Sequence, residues 1–242
     1  MSIEKWKASC ERLVEEMKPM SFRQKVEHIW TYYKEHLFVI AMAVVVVIAI
    51  ISSAINSNRQ IMLSGMLCNV GMSMDGYNYL TEDFFEKNGG DSSVEDIFLS
   101  SQEFALPESM DQSQVDAAYV SAMSIISMVE AKKLDYMIIT EDAFGYFLGH
   151  EIYMDLSEFL TPEEMEQWKG KVVYAQAEAE DGTVGEMYPV GINISDLPFT
   201  KDCVRAGKDE TVYFTVIANT PRQELTRQIW EDILAWESKE AA

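Results

Sequence analysis

The chain has 242 residues with 40 Asp/Glu against 19 Lys/Arg, a formal net charge of −21. The charge is unevenly placed: residues 1–36 hold seven basic and six acidic residues, 37–55 hold none, and 56–242 hold 12 basic against 34 acidic, a balance of −22. A portion so acidic is repelled by phosphate backbones and by anionic lipid, which argues against nucleic-acid binding, and about 185 residues are enough for one substantial core.

Residues 1–36 read as a cytoplasmic helical segment. Ile3, Trp6, Leu13 and Met17 approximate one apolar face, Pro19 interrupts it, and Ser21 can cap a second helix through Phe22, Val26 and Trp30. The stretch "EHLFVIAMAVVVVIAIISSAIN" follows. Residues 37–51 form an unbroken apolar run, which Ser52 to Ile55 extend to a span of roughly 28 Å at 1.5 Å per residue, close to a bilayer's hydrocarbon thickness. This predicts one transmembrane helix over 37–57, in contact with the lipid bilayer. A cleaved signal, suggested by Ser52-Ser53-Ala54, and a buried core helix are the alternatives. Lys18, Arg23, Lys25 and Lys34 precede the run within twenty residues and only Arg59 follows it, so the amino terminus is expected inside the cell membrane and the carboxyl-terminal portion outside. Trp30, Tyr32, Tyr33, Lys34 and Arg59 are the expected membrane-interface residues.

Beyond the run, 58–242 reads as one extracytoplasmic α/β domain with a mixed sheet and flanking helices. "QIMLSGMLCNV" (60–70) is a strand candidate, 80–87 a helix, "NGGD" (88–91) a turn and 94–100 a short strand. Residues 112–133 form the clearest helix, with Val115, Ala118, Ala122, Ile125, Ile126 and Val129 facing inward and Asp111 or Ser113 as N-cap. "DYMIIT" (135–140) is a strand that leads into a helix at "EDAFGYFLG". Residues 172–180 and 183–190 alternate on either side of Asp181-Gly182, the signature of a hairpin with a type I′ turn. "TVYFTVIAN" (211–219) is a strand, and Pro221 is expected in the first turn of a final helix with Leu225, Ile229, Ile233 and Leu234 inward. Cys68 is expected to pack as a small hydrophobe, a Cys68–Cys203 bridge being the alternative.

No catalytic constellation is legible. His150 is the one histidine beyond the apolar run, too few for a multi-histidine metal site, and it suits a helix end. No G-x-S-x-G, P-loop or G-x-G-x-x-G occurs, and neither a metal nor a cofactor is expected. Asp75, Asp91 and Asp96 fit turns and caps better than a calcium loop. Asn193-Ile194-Ser195 is formally a glycosylation sequon. Glu141 and Asp142 fall where a strand's carboxyl end meets a helix's amino end, the place where open α/β sheets bind ligands. Phe144, Tyr146, Phe147 and Tyr153 cluster beside them. Glu141, Asp142, Phe144 and Tyr146 are therefore the candidate ligand-binding residues, with ordinary helix-dipole and core duties as the alternative.

The stretch "LDYMIITEDAFGYFLGHEIYMDLSEFL" resembles part of extracellular solute-binding proteins of the type II periplasmic-binding fold, and "YFTVIANTPRQELTRQIWEDIL" is similar to their late strand and helix. That resemblance implies that Asp135 opens the strand reaching the ligand cleft and that Asp155-Leu156-Ser157 begins the segment after the next helix. In layout the chain resembles uncharacterised single-pass proteins of Gram-positive bacteria with an inner "WxYYKxH" segment, here Trp30 to His36. These features lead to the expectation of a non-enzymatic, membrane-tethered module that binds a small ligand or an envelope protein. A structural or assembly subunit of an envelope complex is the rival, and a hydrolase comes third. A binding module predicts a concave site near Glu141 and Asp142. A scaffold predicts an exposed apolar patch on one helix face.

Overall fold

The computed structural model describes residues 59–104, 112–178 and 184–238, together with Ser21, 38–39, 41–42 and 44–48. The chain divides into two units at Asn58/Arg59. In the first, the described residues of the apolar run are helical and exposed. Trp30, Tyr32, Tyr33 and Lys34, and the rest of the 37–57 span, lie outside the described residues. Among those described, no helix is long and apolar enough to cross a membrane.

The second unit is an α/β domain. Its strands are β1 (Gln60–Cys68), β2 (Gly71–Met72), β3 (Glu95–Gln102), β4 (Tyr136–Thr140), β5 (Val172–Glu178), β6 (Val184–Asn193), β7 (Val204–Arg205) and β8 (Val212–Val216). Its helices are α1 (Met74–Asn78), α2 (Phe84–Lys87), α3 (Gln112–Glu130), α4 (Glu141–Leu148), α5 (Pro162–Trp168), α6 (Pro198–Cys203) and α7 (Gln223–Ala235), with a π-helical turn over Tyr79–Asp83.

Six strands form one sheet in the order β3-β1-β4-β8-β6-β5, and β2 pairs with β7 separately. β1 runs parallel to β3 and β4, whereas β8 is antiparallel to both β4 and β6, and β5 is antiparallel to β6. β4 and β8 are buried along all five residues. This explains why "YMIIT" and "VYFTV" read as nearly continuous apolar runs rather than as alternating ones.

Alternation along the strands sends side chains to two cores. Leu63, Leu67, Tyr136, Ile138 and Phe214 join one, closed by Ile229, Trp230 and Ile233 of α7. Met66, Cys68, Met137 and Ile139 join the other, closed by Ala122, Ile125 and Val129 of α3 and by Phe144 and Phe147 of α4. Gly65 lets the middle strands close up: a Cβ there would stand 2.3 Å from the Tyr136 ring.

Several local expectations change. The first helical stretch begins at Met74, not Leu80, because Ser73 caps it by accepting from the Gly76 N–H at 3.2 Å. Pro221 precedes α7, whose N-cap is Arg222, and Leu234 is exposed while Thr226 and Trp230 take the buried face. Asp96 sits within β3, whereas Asp91 makes a turn by accepting from the Ser93 N–H and hydroxyl. Cys68 and Cys203 are free thiols in different cores. The hairpin pairing of β5 with β6 is present. Asp181-Gly182 and the α3 cap residues Asp111 and Ser113 lie outside the described residues or side chains.

Candidate functional site

The sequence points to the start of α4. Thr140 ends β4 with extended backbone and serves as N-cap without a side-chain bond, and the Glu141 N–H donates to the Thr211 carbonyl at 3.0 Å. Glu141 and Asp142 are exposed in the first turn, where their charge complements the helix dipole.

The aromatic half of that set separates from them. Phe144 is only 2% exposed, sandwiched between Tyr153 at 4.8 Å and Tyr213 at 4.9 Å. Gly191 makes room for its ring, which a Cβ would approach to 2.6 Å. Phe144 therefore belongs to the core. Tyr146 is half-buried against Phe104 at 4.7 Å and His150 at 5.3 Å. Burial first, and then the neighbouring Tyr119, raises its phenol above the usual range. His150 follows the last turn of α4, its N–H donating to the Phe147 carbonyl at 3.0 Å. Asp135, fully buried at the start of β4, accepts from the Ser64 N–H and from Arg222. Its oxygens are committed to the fold. Arg59 forms an ion pair with Asp96 at 3.6 Å and lines a cavity of about 240 Å³ with Tyr77, Thr81 and Phe85.

A larger groove lies elsewhere. About 530 Å³ in volume, it is bounded by Asp75, Glu82, Asp83 and Glu237, with Tyr79 and Trp236 as aromatic walls. Those two rings meet edge to face at 4.8 Å. The Tyr79 hydroxyl donates to the Asp232 carbonyl at 3.1 Å, and Lys87 pairs with the Asp232 carboxylate. Trp236 Nε1 donates to Asp202 at 3.0 Å, a bond that, with Ser238, holds the Asp202 carboxyl below its usual range. Helical spacing supplies half of this groove: in "DGYNYLTED" (75–83) Asp75, Tyr79, Glu82 and Asp83 recur at one-turn intervals on one face. The other half comes from the chain after α7, more than 150 residues on, which no local pattern connects to it.

A third feature is the outer face of α3, where Tyr119, Val120 and Met123 are exposed, Val120 to 70%. Among the described residues no group of three His, Cys, Asp or Glu could hold a metal ion. No protein-family model, no curated protein and no solved structure matches this chain.

Proposed function

We propose that the protein is a membrane-tethered, non-catalytic recognition module. A helix over 37–57 anchors it in the cell membrane with the amino terminus cytoplasmic, and the acidic α/β domain faces outward. Support for the anchor is the unbroken apolar run and the four basic residues before it against Arg59 after it.

The observation that carries the recognition reading is the groove of about 530 Å³ bounded by four carboxylates, Tyr79 and Trp236. Carboxylates on a low-dielectric wall concentrate a negative field, and aromatic faces attract cations beyond simple charge. Such a groove suits a ligand that joins positive charge to an aliphatic or flat body, for example a polyamine or a Lys-rich segment of an envelope protein. Further support is the resemblance to solute-binding proteins: the stretch that carries it forms a central strand followed at once by a helix that starts on two acids.

Calorimetric titration of the full-length protein in neutral detergent, with spermidine and with a Lys-rich decapeptide, tests the reading. Saturable binding of either probe that weakens with salt and with Glu82→Gln/Asp83→Asn is expected. Heats that do not saturate, or that the double substitution leaves unchanged, overturn it.

A second reading, an assembly subunit of an envelope complex, is favoured by a separate observation. The face of α3 bearing Tyr119, Val120 and Met123 is the exposed apolar helix surface that such a role requires.

A further inference from the structure

α7 keeps its buried face as far as Ile233 and ends at Ala235, where the backbone leaves the helix: Trp236 has φ −59° and ψ 123°. Trp236-Glu237-Ser238 then continues as a short strap beside the groove of about 530 Å³. Ala235, Trp236 and Glu237 supply one half of the groove lining, and the other half comes from residues 75–83. Ala235 and Glu237 are exposed, so among the described contacts those of the strap fall to Trp236 and Ser238. The Trp236 ring meets Tyr79 at 4.8 Å and Phe199 at 5.6 Å, both edge to face. Its Nε1–H donates to Asp202 at 3.0 Å, and the Ser238 hydroxyl donates to the same carboxylate. Asp202 belongs to α6 and is not part of the groove lining. It acts on the groove only by holding the strap.

Charge works against this docked position. It brings Glu237 to the same groove as Asp75, Glu82 and Asp83, and no Lys or Arg is among the described residues that line it. Like charges gathered around one cavity repel, and either salt or a cation between them relieves the repulsion. The bond from the Trp236 indole to Asp202 has a neutral donor, so it responds far less to salt. Two opposed terms therefore act on the strap. Ring contacts and the bonds to Asp202 favour closing, and the carboxylates favour opening. A cationic ligand that touches both halves of the groove binds the closed form better, which is the condition for it to shift the balance.

We propose that Trp236-Glu237-Ser238 is a hinged strap, latched by Asp202, whose closing completes the groove and is coupled to entry of a cation. The coupling rests on the recognition reading of that groove and adds the element that closes it. Only the closed fraction of the protein presents both halves, so loosening the latch weakens the apparent affinity in proportion to the fraction lost.

The test uses the full-length chain in neutral detergent, with nuclear magnetic resonance of its five tryptophan indole N–H groups. The resonance lost in Trp236→Phe belongs to Trp236. In the wild type it is expected to move toward a limiting position as spermidine is added. It should move the same way when salt alone rises from about 20 to about 300 mM, as screening removes the repulsion. In calorimetric titration, Asp202→Ala/Ser238→Ala is expected to bind spermidine at least fivefold more weakly, with a melting midpoint close to that of the wild type. Asp196→Ala removes an exposed acid outside both groove and strap and is expected to change the affinity less than twofold. If the wild type binds spermidine and the double variant binds it as well or better, the strap falls and the groove reading stands. The same holds if the wild type binds but its Trp236 resonance ignores both spermidine and salt. If the wild type binds neither spermidine nor the Lys-rich decapeptide, the groove reading falls and the coupling falls with it.

Discussion

The Asp135 carboxylate accepts a hydrogen bond from Arg222 Nε at 2.8 Å, joining residues 87 apart in sequence. Asp135 is fully buried and the Arg222 side chain only 18% exposed. The same carboxylate accepts from the Ser64 N–H of β1 at 2.7 Å and from the Thr220 hydroxyl. Arg222 also donates to the Lys132 carbonyl, beyond α3, at 3.2 Å. The Asp135–Arg222 pair thus ties β1, the entry to β4, the turn after α3 and the start of α7.

Removing that carboxylate leaves a partly buried guanidinium and a buried N–H without their acceptor. Asp135→Ala is therefore expected to cost roughly 3–5 kcal/mol, the range for breaking a buried ion pair from one side. Asp135→Asn, which keeps the shape and one acceptor, should cost less. Urea unfolding midpoints at constant m-value measure both. A cost below about 1 kcal/mol for the alanine would mean that the network does not hold these elements together.

Much of this frame is visible in the sequence, for a physical reason. β1, β4 and β8 are central and largely buried, so their residues form short apolar runs of strand length, and α3 declares its inner face through Ala118, Ala122, Ile125 and Val129. The order of strands in the sheet is not local information, and neither is the Asp135–Arg222 link. Phe144 shows the limit for the site: an aromatic three residues from Glu141 reads equally as a groove wall or as core, and the choice depends on Gly191, Tyr153 and Tyr213 from distant segments. Leu234 fails differently. It continues the apolar spacing of α7, but it lies in the last turn at the edge of the buried face that Thr226, Ile229, Trp230 and Ile233 form, and is exposed there.

Burial pushes the Cys68 thiol from an ordinary value of 9.0 up to about 12. The folded protein therefore keeps a proton that the unfolded chain releases. Its contribution to stability is whole below pH 9 and is lost as pH rises toward 12. Chemical denaturation from pH 8 to 11 should show stability falling across that window, and Cys68→Ala should flatten the decline while lowering stability at pH 8 through the cavity it leaves. In the Cys10→Ser background, a thiol reagent at pH 8 should modify Cys68 and Cys203 only after denaturant is added. Rapid labelling of either in the native state would contradict their burial.

Thr161 and Glu164 form a reciprocal cap on α5. The Thr161 N–H donates to Glu164 Oε2 at 2.8 Å, and the Glu164 N–H donates to Thr161 Oγ1 at 3.3 Å. Burial works against the Glu164 charge, but the bonds from Arg227 and Thr161 outweigh it and hold the carboxyl below its ordinary 4.5. That contribution is complete above pH 4.5 and fades as pH falls below it. Thr161→Ala should cost about 1 kcal/mol, typical of a lost N-cap. Glu164→Gln should lose the pairing with Arg227 and reduce the acid sensitivity of the thermal midpoint. An unchanged acid limb in Glu164→Gln would show that the pair with Arg227 does not set it.

Two glycines near α4 should respond with opposite signs. Gly145 lies inside α4, and a Cβ there would meet nothing within 4 Å, so Gly145→Ala should stabilise by about 0.5–1 kcal/mol through helix propensity and a less flexible unfolded chain. At Gly191 the Cβ would stand 2.6 Å from the Phe144 ring, which Tyr153 and Tyr213 hold on both sides. Gly191→Ala should therefore destabilise by roughly 1–3 kcal/mol as an overpacked core. Calorimetric melting of the two variants beside the wild type decides it. If both lower the midpoint, the open space beside Gly145 is filled by something in solution.

The anchor makes its own demand on Val46, near the middle of the apolar run and flanked by Val44, Val45 and Val47. If 37–57 spans the bilayer, arginine at Val46 stands near the hydrocarbon centre, where it costs roughly 2.5–3.5 kcal/mol of apparent insertion free energy. A helix with little margin then partitions between inserted and non-inserted forms, whereas Ser52→Arg, near the outer end, can snorkel to the interface at smaller cost. Carbonate extraction of membranes, combined with protease access to the acidic domain from outside intact cells, separates the two. Val46→Arg should shift a measurable fraction of chains out of the carbonate-resistant pool, and Ser52→Arg should shift few. If Val46→Arg integrates as completely as the wild type, Val46 does not sit at the bilayer centre. If the wild-type chain begins after Ala54, the run is a cleaved signal and the domain is released from the membrane.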